Sequence, residues 1–313
     1  MAGFPRRAHD RGGGGLCPPR TALRRRHRGR PDGQRRGAGR GAGVIGNRET
    51  TAFLLLPAIL GAIVFLPPWV FLAAVWVVSL LAARELVAIL RRVHPPTPTL
   101  PPLLALALAL PAIWLGGLPG AGAVLAAVVL LVPVAHLLAG RPVAGASGAI
   151  AGAVFVAVYF AVTGGAMGLL RIAFGELGWK VLLTHCLVIW GGDSGAYYVG
   201  TRFGRHRLAP VVSPKKSWEG IAGGTALSFF AVWVCRTVFF PELPWSVGLP
   251  LAALLSLLAP LGDLVESLFK RDAGVKDSAD TLPGHGGFLD RTDSLFFAAP
   301  FVLALFLAVR NAW

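Results

Sequence analysis

Nine apolar blocks constrain this chain before anything else does. They lie at about residues 51–66, 69–90, 100–117, 121–139, 146–170, 179–200, 220–240, 245–265 and 294–311. Most are long enough to cross a bilayer core of about 30 Å as helices, the form in which a segment satisfies its own backbone groups where water is absent. The first block is short, and Pro67 and Pro68 turn it tightly into the second, so the two read as a hairpin. With 55% hydrophobic and 14% charged residues, the chain is too apolar for an ordinary soluble domain. The expectation is an all-α, polytopic membrane protein of about nine transmembrane helices. No internal repeat is visible, which weighs against a transporter built from inverted halves.

The formal charge of +15 resembles a nucleic-acid signal until it is located. Residues 1–48 hold thirteen Arg against Asp10 and Asp32, so +11 belongs to this segment and the rest is nearly balanced. An Arg-, Gly- and Pro-rich stretch with so few apolar residues reads as a disordered tail, not a nucleic-acid module. Its charge suits anionic membrane lipids, at about 1 kcal/mol per basic residue near the surface. An alternative start near Val44 would leave it untranslated. The remaining expected divisions are N-terminal membrane helices over 49–178 and a catalytic membrane region over 179–313. Cys17, Cys186 and Cys235 have neither disulfide nor zinc-ligand spacing.

Orientation follows from Lys and Arg, since loops rich in them stay cytoplasmic. Nine spans with the N-terminus inside place 25 basic residues inside and 4 outside. The charged loops 201–219 and 266–293 then both face the cytoplasm, where soluble nucleotide can reach them. The expected location is the inner cell membrane, with the active site on its cytoplasmic side.

Chemistry is concentrated in the second of these loops. Of fifteen Asp and Glu residues, seven lie between Asp263 and Asp293: Asp263, Glu266, Asp272, Asp277, Asp280, Asp290 and Asp293. An acid in or beside a span is costly and is a functional candidate by default. Asp263 at the end of the eighth span, Asp290 and Asp293 before the ninth, and Asp193 inside the sixth suggest a cation. Hard oxygen donors without cysteine favour magnesium. The bland alternative is ion pairing of Asp263, Asp290 and Asp293 with Lys270, Arg271 and Arg291. Lys270, Arg271 and Lys276 offer charges suited to phosphate, and Gly284, Gly286 and Gly287 allow close backbone approach. His285, between glycines, could contact nucleotide, orient an aspartate, ligate metal or serve only as a hydrogen-bonding spacer. Ser213, Lys215 and Lys216 put a hydroxyl and two cations beside Pro214, suited to a phosphate or a lipid headgroup. The same residues also fit an ordinary positive-inside loop.

The run Ser267-Leu268-Phe269-Lys270-Arg271, then Lys276-Asp277, then Leu282-Pro283-Gly284-His285-Gly286-Gly287-Phe288-Leu289-Asp290-Arg291-Thr292-Asp293 resembles the signature of the phosphatidate cytidylyltransferase (CDP-diacylglycerol synthase) family. Residues 191–220 are similar to a second block of that family. The resemblance is strong over about 180–311. It implies a magnesium-dependent nucleotidyltransferase that converts CTP and phosphatidic acid into CDP-diacylglycerol and pyrophosphate. Asp263 and Asp290 would hold magnesium, within a site that could take a second cation. Asp293 would position a cation-bound water or Arg291, and Asp193 would bind the second cation or a substrate hydroxyl. Lys270, Arg271 and Lys276 would hold the triphosphate, and Ser213, Lys215 and Lys216 the lipid phosphate or departing pyrophosphate. A homodimer is compatible with this picture. A transporter and a CTP-dependent polyprenol kinase remain as alternatives, and labelled CTP distinguishes them.

Overall fold

Proline and glycine set where the helices begin and break. A computed structural model describes residues 59–279, 281 and 286–309. The Arg-rich tail, His285, Gly284 and the start of the first block therefore lie outside the described residues. The described end of that block, residues 59–65, is helical (α1). Pro68 then opens α2, Pro68–Val93, at the position where its missing N–H costs nothing. α3 spans Leu100–Leu138 but breaks at Gly117, whose φ of 59° and ψ of −142° suit glycine alone, with Pro119 just beyond. Its two parts, Leu100–Gly117 and Pro119–Leu138, are 18 and 20 residues long. At 1.5 Å per residue each covers about 27–30 Å, one bilayer core.

α4 (Ala146–Ile172) and α5 (Gly178–Phe203) follow, then an antiparallel hairpin of β1 (Arg207–Ala209) and β2 (Ser213–Ser217). α6 (Trp218–Val238), α7 (Trp245–Asp272) and α8 (Leu289–Ala308) complete the bundle. Among the described residues, seven helices are long and apolar enough to cross a membrane. α5 is not among them, although its 26 residues would suffice in length, because Gly-Gly-Asp-Ser-Gly interrupts its apolar run. The protein is thus an all-α polytopic membrane protein. Among the described residues, the strands are confined to the small hairpin, which hydropathy did not foreshadow.

Helix ends also differ from expectation in a way that matters. α7 continues through Glu266, Lys270 and Arg271, and α8 starts at Leu289, so Asp290 and Asp293 sit in its first turns. Much of the charged segment 266–293 is therefore helix, not loop. Buried face residues of α4, including Ala149, Ala153, Val156 and Phe160, pack in the centre, with Phe160 edge-on to Phe296 of α8 at 6.2 Å. α5 and α6 approach more closely still. A Cβ at Gly195 would stand 2.6 Å from the Gly223 carbonyl oxygen, and one at Gly224 would stand 2.9 Å from that of Gly192. Small residues let the two backbones touch, as membrane helices pack where water supplies no hydrophobic force.

Candidate active site

The C-terminal ends of α5 and α7 and the N-terminal ends of α6 and α8 meet at one end of the bundle around a cavity of about 350 Å³. Asp193, Lys215, Lys216, Asp263, Asp290 and Asp293 all line it, together with Tyr197, Thr201 and Pro260. Residues 193 and 293 are a hundred positions apart, yet every one of these six side chains was expected at the site from the sequence.

The cationic wall comes from β2. Its terminal Ser217 caps α6 by accepting from the Gly220 amide at 3.2 Å. Glu219, in the first turn of α6, binds the His206 ring at 2.6 Å and accepts from the Arg205 and His206 amides at 3.1 and 3.2 Å. These bonds pin the loop before the hairpin, and Arg271 pins its tip, donating from Nε to the Val212 carbonyl at 3.2 Å. Lys216 is thereby aimed across the cavity, where it pairs with Asp263 and donates to the Pro260 carbonyl at 3.0 Å.

The acidic wall comes from α7 and α8. Asp263 and Glu266 stand one turn apart on α7, and Asp293 faces them from α8. One ligand oxygen from each lies within 4.8 Å of the others. Opposite ligands on a magnesium ion are about 4.2 Å apart, given metal–oxygen distances of about 2.1 Å. Glu266 is 5% exposed, and neither of its oxygens has a hydrogen-bond partner among the described residues, although the Lys270 ammonium lies 3.1 Å away. A buried carboxylate whose one ionic partner, the Lys270 ammonium, is shared with Asp290 remains costly. A hard cation would satisfy its oxygens, so the donor set fits such an ion.

Asp290, which the resemblance assigned to the metal together with Asp263, is differently engaged. Oδ1 accepts from Lys270 at 2.6 Å. Oδ2 accepts from the Ser278 and Gly287 amides at 3.0 and 2.9 Å, and the Ser278 hydroxyl stands 2.7 Å away. Three donors, with the Ser278 hydroxyl shared between Asp290 and Glu85, use most of the acceptor capacity of this carboxylate. The convergent triad in this structure is therefore Asp263, Glu266 and Asp293, with Asp290 beside it as an anchor for Lys270. The ion-pairing alternative describes part of what is seen: Lys270 pairs with Asp290, as it named, while Asp263 pairs with Lys216, which it did not.

Other expected residues lie outside the cavity lining. Ser213 pairs with Ala209 in the hairpin, and Arg271 spends Nε and Nη1 on the Val212 and Val275 carbonyls. Lys276 and Arg291 are exposed at the same end. The histidines inside spans, His136 and His185, are buried, and His185 bonds the Leu295 carbonyl at 3.0 Å.

Two participants escaped the sequence reading. Glu266 was counted in the acidic run but given no role, although its i, i+3 spacing from Asp263 on a continuous helix would have placed both on one face. Glu85 on α2 was passed over entirely. It is 7% exposed and accepts from Ser278, Thr281 and the Phe288 and Leu289 amides. The rule that flagged Asp193, an acid inside an apolar span, applied to Glu85 as well.

Known proteins are similar to this chain. A Bacillus subtilis protein described as phosphatidate cytidylyltransferase is 44% identical over 134 residues, covering 42% of this chain and 50% of that protein. A Mycobacterium bovis protein of the same description is 34% identical over 259 residues, covering 79% of this chain and 83% of its own. A Haemophilus influenzae relative, again so described, is 44% identical over 125 residues, with 39% and 43% covered. The chain thus spans about half the length of some curated relatives and most of others. Residues 46–309, which include both walls of the cavity, match the Cytidylyltransferase family, and the chain belongs to that family.

Proposed function

We propose that this chain transfers the cytidylyl group of CTP to phosphatidic acid, giving CDP-diacylglycerol and pyrophosphate for phospholipid synthesis. The observation that carries the reading is one cavity at a helix-bundle end with Lys215 and Lys216 on one wall and Asp263, Asp290 and Asp293 on the other, the buried Glu266 converging on Asp263 and Asp293 behind that lining. The names of the relatives support the choice of substrates. A phosphate oxygen of phosphatidic acid attacks the α-phosphorus of CTP. The bond from that phosphorus to the β-bridging oxygen breaks, and pyrophosphate leaves with its electron pair. Both reactants are anionic, so catalysis consists chiefly of neutralising charge and placing the nucleophile in line.

Asp263, Glu266 and Asp293 would hold a magnesium ion. Such an ion, when bound, supplies positive charge to the phosphate oxygens without any proton transfer. Lys216, already at the rim of the acidic group, and Lys215 would hold the lipid phosphate or the departing pyrophosphate. Lys270 would hold the triphosphate; its transfer from Asp290 to a phosphate oxygen would free Asp290 Oδ1 as a further metal ligand. Arg271, Lys276 and Arg291 supply an outer ring of positive charge, and Asp193 remains the proposed contact for a second cation or a substrate hydroxyl. Under the nine-span reading of the sequence, the side of loops 201–219 and 266–293 takes 25 basic residues against 4, which supports a cytoplasmic active site in the inner membrane.

CTP labelled in the cytidine and in the γ-phosphate, given to the purified full-length chain with phosphatidic acid and magnesium, tests the reading. Cytidine label in lipid, with release of labelled pyrophosphate, is the expected result. Transfer of γ-phosphate alone would make the chain a lipid kinase and overturn it, as would the absence of any transfer.

A further inference from the structure

α8 carries the carboxylates Asp290 and Asp293, yet it begins without a side-chain cap of its own. The first amides of a helix have no partner within it, and buried ones need an acceptor from elsewhere. Here the Phe288 and Leu289 amides donate to Glu85 at 3.1 and 2.9 Å, from a helix some two hundred residues earlier in the chain. Thr281 donates to the same carboxylate at 2.7 Å. The Ser278 hydroxyl stands 2.9 Å from Glu85 and 2.7 Å from Asp290. Its single proton can serve only one of the two at a time, so it bridges them.

Among the described residues, no Lys, Arg or His lies within ion-pair distance of Glu85. A buried carboxylate without a counter-charge is tolerable only where donors surround it, and the positive end of a helix dipole adds to their effect. The four donors seen among the described residues all come from the segment 278–289. Gly287 shows how tightly that segment is seated: a Cβ there would collide with Ser278 Oγ and a Glu85 carboxylate oxygen.

We infer that Glu85 is a positioning residue of the reaction: it caps α8 from α2 and, through Ser278, holds Asp290 and its partner Lys270 in register at the cavity. The N-terminal half of the bundle thus takes part in the site although it lines none of the cavity. This inference rests on the proposed cytidylyl transfer.

The test is Glu85→Gln in the purified full-length protein. The substitution keeps the shape but turns an amide donor toward existing donors. The expected result is a fall in kcat of about tenfold or more, in the range seen when groups supporting a metal site are removed. KM for phosphatidic acid should stay within about twofold, because no lipid contact is lost. Hydrogen exchange should accelerate in the peptide covering residues 286–295, with the other helices unchanged. A folded Glu85→Gln protein with wild-type kcat would overturn the inference. So would a loss of activity matched by an equal loss of folded protein, with normal kcat for the folded fraction. If Glu85→Gln cannot be recovered folded, Thr281→Val removes one donor and decides the matter: a several-fold lower kcat supports the inference and an unchanged one overturns it. Failure of the wild-type protein to transfer cytidylyl groups would instead remove the proposed function, while the exchange data would still report whether Glu85 holds α8.

Discussion

The two charged segments at the cavity end of the bundle are built differently. In residues 204–219 the polar bonds lie around the cations: Glu219 ties down the backbone before the hairpin and Ser217 caps α6. Lys215 and Lys216 are carried on that frame at the cavity wall, and Lys216 bridges to Asp263. In residues 266–293 the functional groups are themselves knotted together, with Glu266, Lys270, Asp290, Ser278 and Glu85 in one chain of contacts. The first arrangement suits cations that must exchange partners as phosphates arrive and leave. The second suits the proposed role of Asp263, Glu266 and Asp293 as acids at fixed spacing, with Lys270 as the one member of the chain proposed to change partner.

That contrast can be broken most severely at Asp263, where the walls meet. Asp263→Asn removes a proposed ligand and unpairs Lys216, and cytidylyl transfer should fall by about 100- to 1,000-fold with expression maintained, the scale of losing a preorganised charge contact. Near-normal turnover would remove the metal assignment and, with it, the distinction between the walls. Glu266→Gln sharpens the comparison further. The magnesium concentration for half-maximal rate should rise about 10- to 100-fold while the lysine wall is untouched. An unchanged magnesium titration would mean that the buried carboxylate serves only Lys270.

On the opposite wall, Lys216→Ala should act on substrate handling. Loss of one charge-assisted bond to phosphate, worth about 1.5–3 kcal/mol, corresponds to roughly 10- to 100-fold in kcat/KM. Magnesium dependence should hardly move. Unchanged Michaelis constants for both substrates would return Lys216 to the role of an ordinary positive-inside residue.

The smallest effect belongs to the far end of the bundle. There Lys180 donates to Glu242 at 2.7 Å, in the connection between α6 and α7, and holds that carboxyl below its ordinary range. A depressed folded-state value contributes stability above the unfolded carboxylate range, and that contribution is lost as pH falls through the lowered value. The pair is exposed, so solvent screens it heavily. Glu242→Gln should leave activity at neutral pH unchanged, and any difference in melting temperature from the wild type should disappear on acidification. A marked activity loss would show that the two ends of the bundle are coupled.

Much of the site was legible because its signals are local. Asp193, Lys215, Lys216, Asp263, Asp290 and Asp293 were all expected near one surface, and all line one cavity. The pairing of particular acids was not legible. The resemblance matched Asp290 to Asp263, but α8 begins early enough to put Asp293 one turn deeper, toward Glu266. Arg271 read as a phosphate fork, yet it braces the hairpin through two carbonyls, a role that depends on where Val212 happens to pass.

By itself the amino-acid order determined that helices of bilayer length form, where proline and glycine interrupt them, and which charged segments share an end. Those outcomes follow from hydropathy, backbone constraints and rise per residue, each of which acts within a short window. Only the folded bundle decided that Glu85 caps α8, that Lys270 belongs to Asp290 and that Glu266 joins Asp263 and Asp293. Spacing along one helix sets which side chains share its face, but the distance between faces of different helices is set by how their surfaces pack.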